Sequence, residues 1–249
     1  MYRGHMMIRN SKSILTIGAI VAALLVPAVQ VDAVVTPTPT DSDYCQRIKT
    51  AGVEAEATLD KKVESLATSR SSKDTQLTEK RAAVDGKLQT SRQEADKKRD
   101  DAMAKLLLAA KDDSEKLATQ QYIDSVKAAL EQRRAANDKA RLSFRQGVDA
   151  LVSEHRKSVD AQVTEFKTSV KTAATIGNTN CRARPAGLSE AIKEAKSQYK
   201  IARSSDVKLG EQIKALAATR NAEIKANDAT AKATIEQART VLKAALAKE

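Results

Sequence analysis

The sequence predicts an all-α protein, a long antiparallel helical hairpin joined to a third long helix and packed as a coiled-coil-like three-helix rod. Two features of composition and one of spacing carry that prediction. Only 8 Gly and 4 Pro occur in 249 residues, too few for the turns of a sheet-rich fold. Charged residues make up 30% of the chain and aromatics 2%, the balance of long solvated helices. Apolar residues recur at steps of three, four and seven, as on one helix face, and no strand-length alternation interrupts them. Much of the 41% hydrophobic content is Ala, which buries little area per residue, so the seams support thin helix packing with modest stability.

The N-terminus reads as an export signal. Arg3, Arg9 and Lys12 precede an uncharged apolar run from Ile14 to Val26, then Pro27, then the small-residue pattern Val31-Asp32-Ala33. That order is a secretory signal peptide over residues 1–33 with a cut after Ala33. The alternative is an uncleaved anchor, since residues 13–31 are uncharged and just long enough to span a bilayer. Either way the body of the chain is expected outside the cytoplasm: secreted, periplasmic or on the cell surface. Met6 and Met7 are alternative starts that would shorten only the basic region.

Residues 34–41 form a Pro/Thr linker, Thr36-Pro37-Thr38-Pro39-Thr40, extended by its prolines. Thr40 and Asp43 read as a capping pair opening the first helix. No proline follows until Pro185, and residues 42–180 are assigned to the hairpin. Its seam runs through Leu59, Val63, Leu66, Leu77, Val84, Leu88 and Leu106, and later through Val126, Leu130, Phe144, Val148, Leu151, His155, Val159 and Val163. Thr68 to Gln76 lacks large apolar residues and carries serines that compete with the helix backbone, so it reads as a frayed segment or a kink. A break is expected at Gly177-Asn178-Thr179-Asn180, with Gly177 in the left-handed place after a helix end. Residues 181–187 form a connector, and residues 188–249 a third helix whose heptad-like seam slips once near Ile224.

Two cysteines in an exported chain read as one disulfide, Cys45 to Cys181. A continuous helix between them would run roughly 200 Å, whereas a bridge needs Cα atoms roughly 4.4–6.8 Å apart. An intramolecular bond therefore forces the chain back on itself. The midpoint, residue 113, falls in the polar run 111–116, which places the hairpin tip there with arms of about 100 Å. In that register Val63 faces Val163 and Val84 faces Leu142. The rival is an intermolecular bridge in a parallel dimer.

No catalytic constellation, cofactor site or metal site is expected. His155 sits on the seam between Leu151 and Val159, where an imidazole serves as a packed polar residue. Two separated cysteines and one histidine do not make a zinc site. The acidic pairs Asp100-Asp101 and Asp112-Asp113 lie at adjacent helix positions, which do not face one another. Loss of Arg3, Arg9, Lys12 and Asp32 would lower the net charge from +11 to +9, dispersed among acids. Only weak, salt-sensitive binding to nucleic acid or an anionic envelope polymer follows from that. Two readings remain: a non-catalytic structural, scaffold or surface-interaction protein, and an extracytoplasmic chaperone-like or polyanion-binding coiled-coil protein. Its partner is unknown, an oligomer is open, and membrane contact is expected only if the N-terminal segment stays uncleaved.

Overall fold

Long runs free of proline, with apolar residues every third or fourth place, leave the backbone no cheaper arrangement than helix. A computed structural model describes residues 41–179 and 186–247, and these form three α-helices: α1 (Asp41–Leu108), α2 (Asp113–Thr179) and α3 (Ala186–Leu246). The fold class is all-α, as the composition predicts. The signal segment with its cut after Ala33, the linker up to Thr40, and Cys181 lie outside the described residues. Cys45 belongs to α1, but its side chain lies outside them too, and so does the predicted bridge.

The reversal between α1 and α2 occupies residues 109–112, earlier than the expected tip. Most of the polar run is the first turn of α2, because its acids cap the helix. The Glu115 N–H donates to Asp112 Oδ1 at 2.9 Å, and Glu115 Oε2 reaches back to accept from the Lys111 N–H at 2.6 Å. This is a reciprocal cap with its return arm one residue further out than usual. Ala109 and Ala110 close the end of α1 onto the carbonyls of Lys105 and Leu107. No described residue has a positive φ, so this turn needs no glycine.

Three local expectations are corrected. Thr68–Gln76 is neither frayed nor kinked: α1 runs through it, with the Thr68 hydroxyl donating to the Glu64 carbonyl and Arg70 held by Asp160. Gly177 lies within α2, which continues to Thr179. Gly187 lies within α3, which begins at Ala186.

The helices build two compact units. One uses described residues up to Ser72 and within Ala150–Ile213, and the other those of Lys73–Asp149 and Lys214–Glu249. In the first, Leu59, Leu66 and His155 are buried, while Arg70 and Lys167 pair with Asp160 and Asp60 at 2.7 and 2.5 Å, which sets α1 and α2 antiparallel. The second unit has a small apolar core of Met103 from α1 with Ile123 and Val126 from α2. Leu107, Tyr122, Leu130 and Ile235 pack against it, so all three helices contribute. Ala129, Ala140 and Ala231 are buried in the same unit, where small side chains let helices approach closely.

The helices approach closely at Gly147 of α2, where a Cβ would sit 2.9 Å from Leu216 Cδ1 of α3. At Gly86 and Gly210 a Cβ would meet nothing within 4 Å. Gly86→Ala and Gly210→Ala should therefore each raise stability by about 1 kcal/mol through helix propensity alone. Gly147→Ala should gain less, because Leu216 must move. Urea denaturation of the three variants checks this, and equal gains would show that the close approach costs nothing to fill.

Candidate functional site

Arginine–aspartate pairs cross from helix to helix, and their placement repeats. In the second unit Arg81 and Arg92 of α1 each grip an aspartate of α2 with two parallel bonds. Arg81 holds Asp149 at 2.7 and 2.9 Å, and Arg92 holds Asp138 at 2.6 and 2.9 Å. Two more forks run the other way. Arg145 of α2 holds Asp85 at 2.6 and 2.8 Å, and Arg134 holds Asp96 through both oxygens. In each of these four pairs the two residue numbers add to 230. The arginines of each helix lie 11 residues apart, and so do its aspartates. In the first unit Arg70–Asp160 obeys the same rule. Arg156 and Asp74 hold the next places of the series in the sequence.

Eleven residues come within about 20° of three full helical turns, so an 11-residue repeat keeps like residues on one face. The apolar seams share this period. Val126, Val148, Val159 and Val170 of α2 stand 11 or 22 residues apart, as do Ile213, Ile224, Ile235 and Leu246 of α3. The expected heptad seam with a slip at Ile224 is thereby corrected. A heptad with a four-residue stutter is an 11-residue repeat, and Ile224 is in step with its neighbours. The hairpin register is corrected by one turn as well. Val63 lies level with Lys167 and Val84 with Gln146, because the ladder rather than the cysteine midpoint sets the alignment.

One place in the valine series is polar. Asn137 of α2 is buried, and its side chain accepts from Asn227 Nδ2 at 3.0 Å and donates to Asp228 Oδ1 at 3.2 Å, both on α3. Arg133 Nε stands 3.7 Å from the same Asp228 oxygen. Two helical turns further along α2, Phe144 lies under the Arg220 guanidinium, 4.4 Å from the ring centroid. Burial, with the nearby Arg141 as a second cause, pulls the Arg220 pKa below its usual value, yet an arginine stays charged at any ordinary pH. A buried Asn that finds its partner in only one alignment fixes register, and the cation on the ring adds a second key.

This constellation has acceptors and cations but no nucleophile beside a base. Among the described residues no group of three or more His, Cys, Asp or Glu is placed to hold a metal ion. Of the acidic residues singled out in the sequence, Asp100 pairs with Arg99, Asp112 serves in the cap and Asp113 pairs with Lys116. His155 is buried in α2. Among the described residues no helix is long and apolar enough to cross a membrane.

Comparison of the chain with protein-family models, with curated proteins and with solved structures found no match.

The ladder titrates in acid. The Arg134 bonds to Asp96 hold that carboxyl down to about 2, from 3.8 for a free one. Arg145 lowers Asp85 and Arg92 lowers Asp138 in the same way. A folded-state pKa below the unfolded value means stability is fully present above about pH 4 and is lost as pH falls towards about 2. Thermal denaturation followed by circular dichroism should therefore show the same midpoint at pH 7 and pH 5 and a lower one across that window. An unchanged midpoint at pH 2 would mean that the ladder adds nothing to apolar packing.

Proposed function

We propose that this chain is a non-catalytic exported helical rod that acts as a structural, scaffold or surface-interaction protein outside the cytoplasm. The observation that carries the reading is where the charged chemistry sits. Four bidentate Arg–Asp forks and the Asn137–Asn227–Asp228 layer in one unit align helices with one another. Exposed ion pairs of this kind add little stability singly but fix geometry, which suits a protein whose product is its shape. Export rests on the basic, apolar and small-residue order ending at Ala33, and one bridge between the two cysteines, Cys45 and Cys181, would fit that compartment. The partner is then a protein or an anionic envelope polymer reached through the surface.

A chaperone-like reading is favoured by a different observation. Leu108, Leu117 and Val241 of the second unit are 85%, 62% and 59% exposed, and unfolded clients seek such side chains. A holdase assay with an unfolded client separates the two, because a scaffold should leave aggregation unchanged and a client binder must suppress it. For the scaffold reading, affinity capture from a surface extract should return the same partner from the wild type and from a Leu108→Ser/Leu117→Ser variant. Small-angle scattering tests the rod itself, since a radius of gyration near the roughly 17 Å of a globular chain of this length would overturn it.

A further inference from the structure

Two inward-facing series break at one layer of the second unit. On α2 the places 11 residues apart are Thr119, Leu130, Arg141, Val152 and Val163, and on α3 they are Leu209, Arg220, Ala231 and Leu242. Thr119, Ala231 and Leu242 are buried and Leu130 packs against the apolar core, so both series face the interior. Each carries a single arginine. Arg220 lies over Phe144, which stands one turn beyond Arg141 on α2, and Arg141 is near enough to pull the Arg220 pKa down.

Carboxylates do not balance this pair. Arg145, Arg92 and Arg81 hold Asp85, Asp138 and Asp149 in forks, and Arg141 shares Asp138 through Nη1 at 2.9 Å. Arg220 pairs with no carboxylate among the described residues, and donates from Nε and Nη2 to the Asn221 side-chain oxygen. The excess is local. Residues 81–92, 138–149 and 215–226 lie level and hold eight Lys or Arg against four Asp or Glu. In the next layer, residues 93–104, 126–137 and 227–238, there are seven of each. Water reaches the basic layer, since the Arg141 side chain is 31% exposed and Val84 of the α1 seam is 56% exposed.

We propose that Arg141 and Arg220 form a receptor for a phosphate or sulfate group. Two planar forks from different helices offer more donors than the two oxygens of a carboxylate accept, whereas a tetrahedral oxyanion presents three or more acceptors to both. The Phe144 ring sets the plane of Arg220, and the bond to Asp138 steadies Arg141. The site deepens the surface-interaction reading above, and rests on it for an anionic envelope polymer as partner. A free ion and the esters of such a polymer offer the same chemistry.

Calorimetric titration of the full chain at low salt, with inorganic phosphate, inorganic sulfate and a short poly(glycerol phosphate) as probes, tests this. One site per chain is expected, weakened roughly tenfold or more by Arg141→Gln and by Arg220→Gln. Arg220→Lys and Phe144→Leu keep both charges but lose the oriented fork, and each should weaken binding about threefold with the helix spectrum unchanged. Arg239→Gln removes the same charge at an exposed place about 28 Å along α3, and should leave binding within error. Tighter binding of the polymer per phosphate assigns the ester as ligand, and equal binding assigns the free ion. No heat with any probe would overturn the proposal. So would equal weakening by Arg239→Gln, or no effect of Arg220→Lys and Phe144→Leu, because dispersed charge would then do the binding. Failure here with an elongated scattering profile strikes the site and leaves the rod standing, whereas a compact profile strikes the rod whatever the chain binds.

Discussion

Truncating Ile123 to alanine is expected to destabilise the second unit by roughly 2–5 kcal/mol, the usual cost of deleting a buried aliphatic chain. The effect should be large for so conservative a change because the core around it is small. Met103, Ile123 and Val126 are its buried members, with four half-buried neighbours drawn from three helices. A cavity at Ile123 loosens the cluster to which α1 contributes Met103 and against which Ile235 of α3 packs. Typical domains have only about 5–15 kcal/mol in total, so local opening should follow. Hydrogen exchange of amides in residues 99–130 should accelerate, while Leu142→Ala, at a side chain already 55% exposed, should leave it within error. Equal responses from the two variants would mean that the unit is held by its ion pairs and not by this core.

Asn137→Val should cost about 1–3 kcal/mol although it matches the residue 11 places away on either side. It strips Asn227 and Asp228 of a buried partner while restoring none. Changing Asn227, which is half-buried, to leucine as well should recover most of that loss, since replacing both partners of a polar pair by apolar groups is often neutral or better. What the double variant should lose is uniqueness. Spin labels on α2 and α3 should report one distance in the wild type and two populations in the variant, separated by a slide of 11 residues or about 16 Å. A single narrow distance in the double variant would assign the alignment to Gly147 against Leu216 and to Arg220 on Phe144 instead.

The helices were legible because their apolar residues keep to one face for tens of residues, and strand periodicity has no foothold in such a chain. Their ends were less so. A polar run looks the same whether it bends the chain or caps the next helix, and only the spacing of Asp112 and Glu115 marks the second case. The register was legible in principle through Arg81, Arg92, Arg134 and Arg145 with their aspartates. Reading the seams as heptads concealed it, because a seven-residue frame scatters an 11-residue series over several positions. Asn137 could have been found as the polar break in the valine series, and Asn227 as the one between Leu216 and Ala238. The close approach at Gly147 and the stacking of Arg220 were not legible, since both depend on which helix lies opposite. Nothing in the pattern of single residues names a partner, because a surface that aligns helices carries no imprint of what else it touches.

The reciprocal cap at Asp112 and Glu115 and the 11-residue period together make length an inheritable quantity of fixed step. Copying one block such as Asp85–Ala95 into α1, with its counterparts in α2 and α3, would extend each helix by about 16 Å and return every later side chain to its former face. The cap would still begin α2 in the same way. Insertion of one to three residues would instead rotate all following arginines away from their aspartates. Variation in size among descendants of this chain is therefore channelled into whole blocks of 11, with intermediate lengths removed by loss of helix pairing.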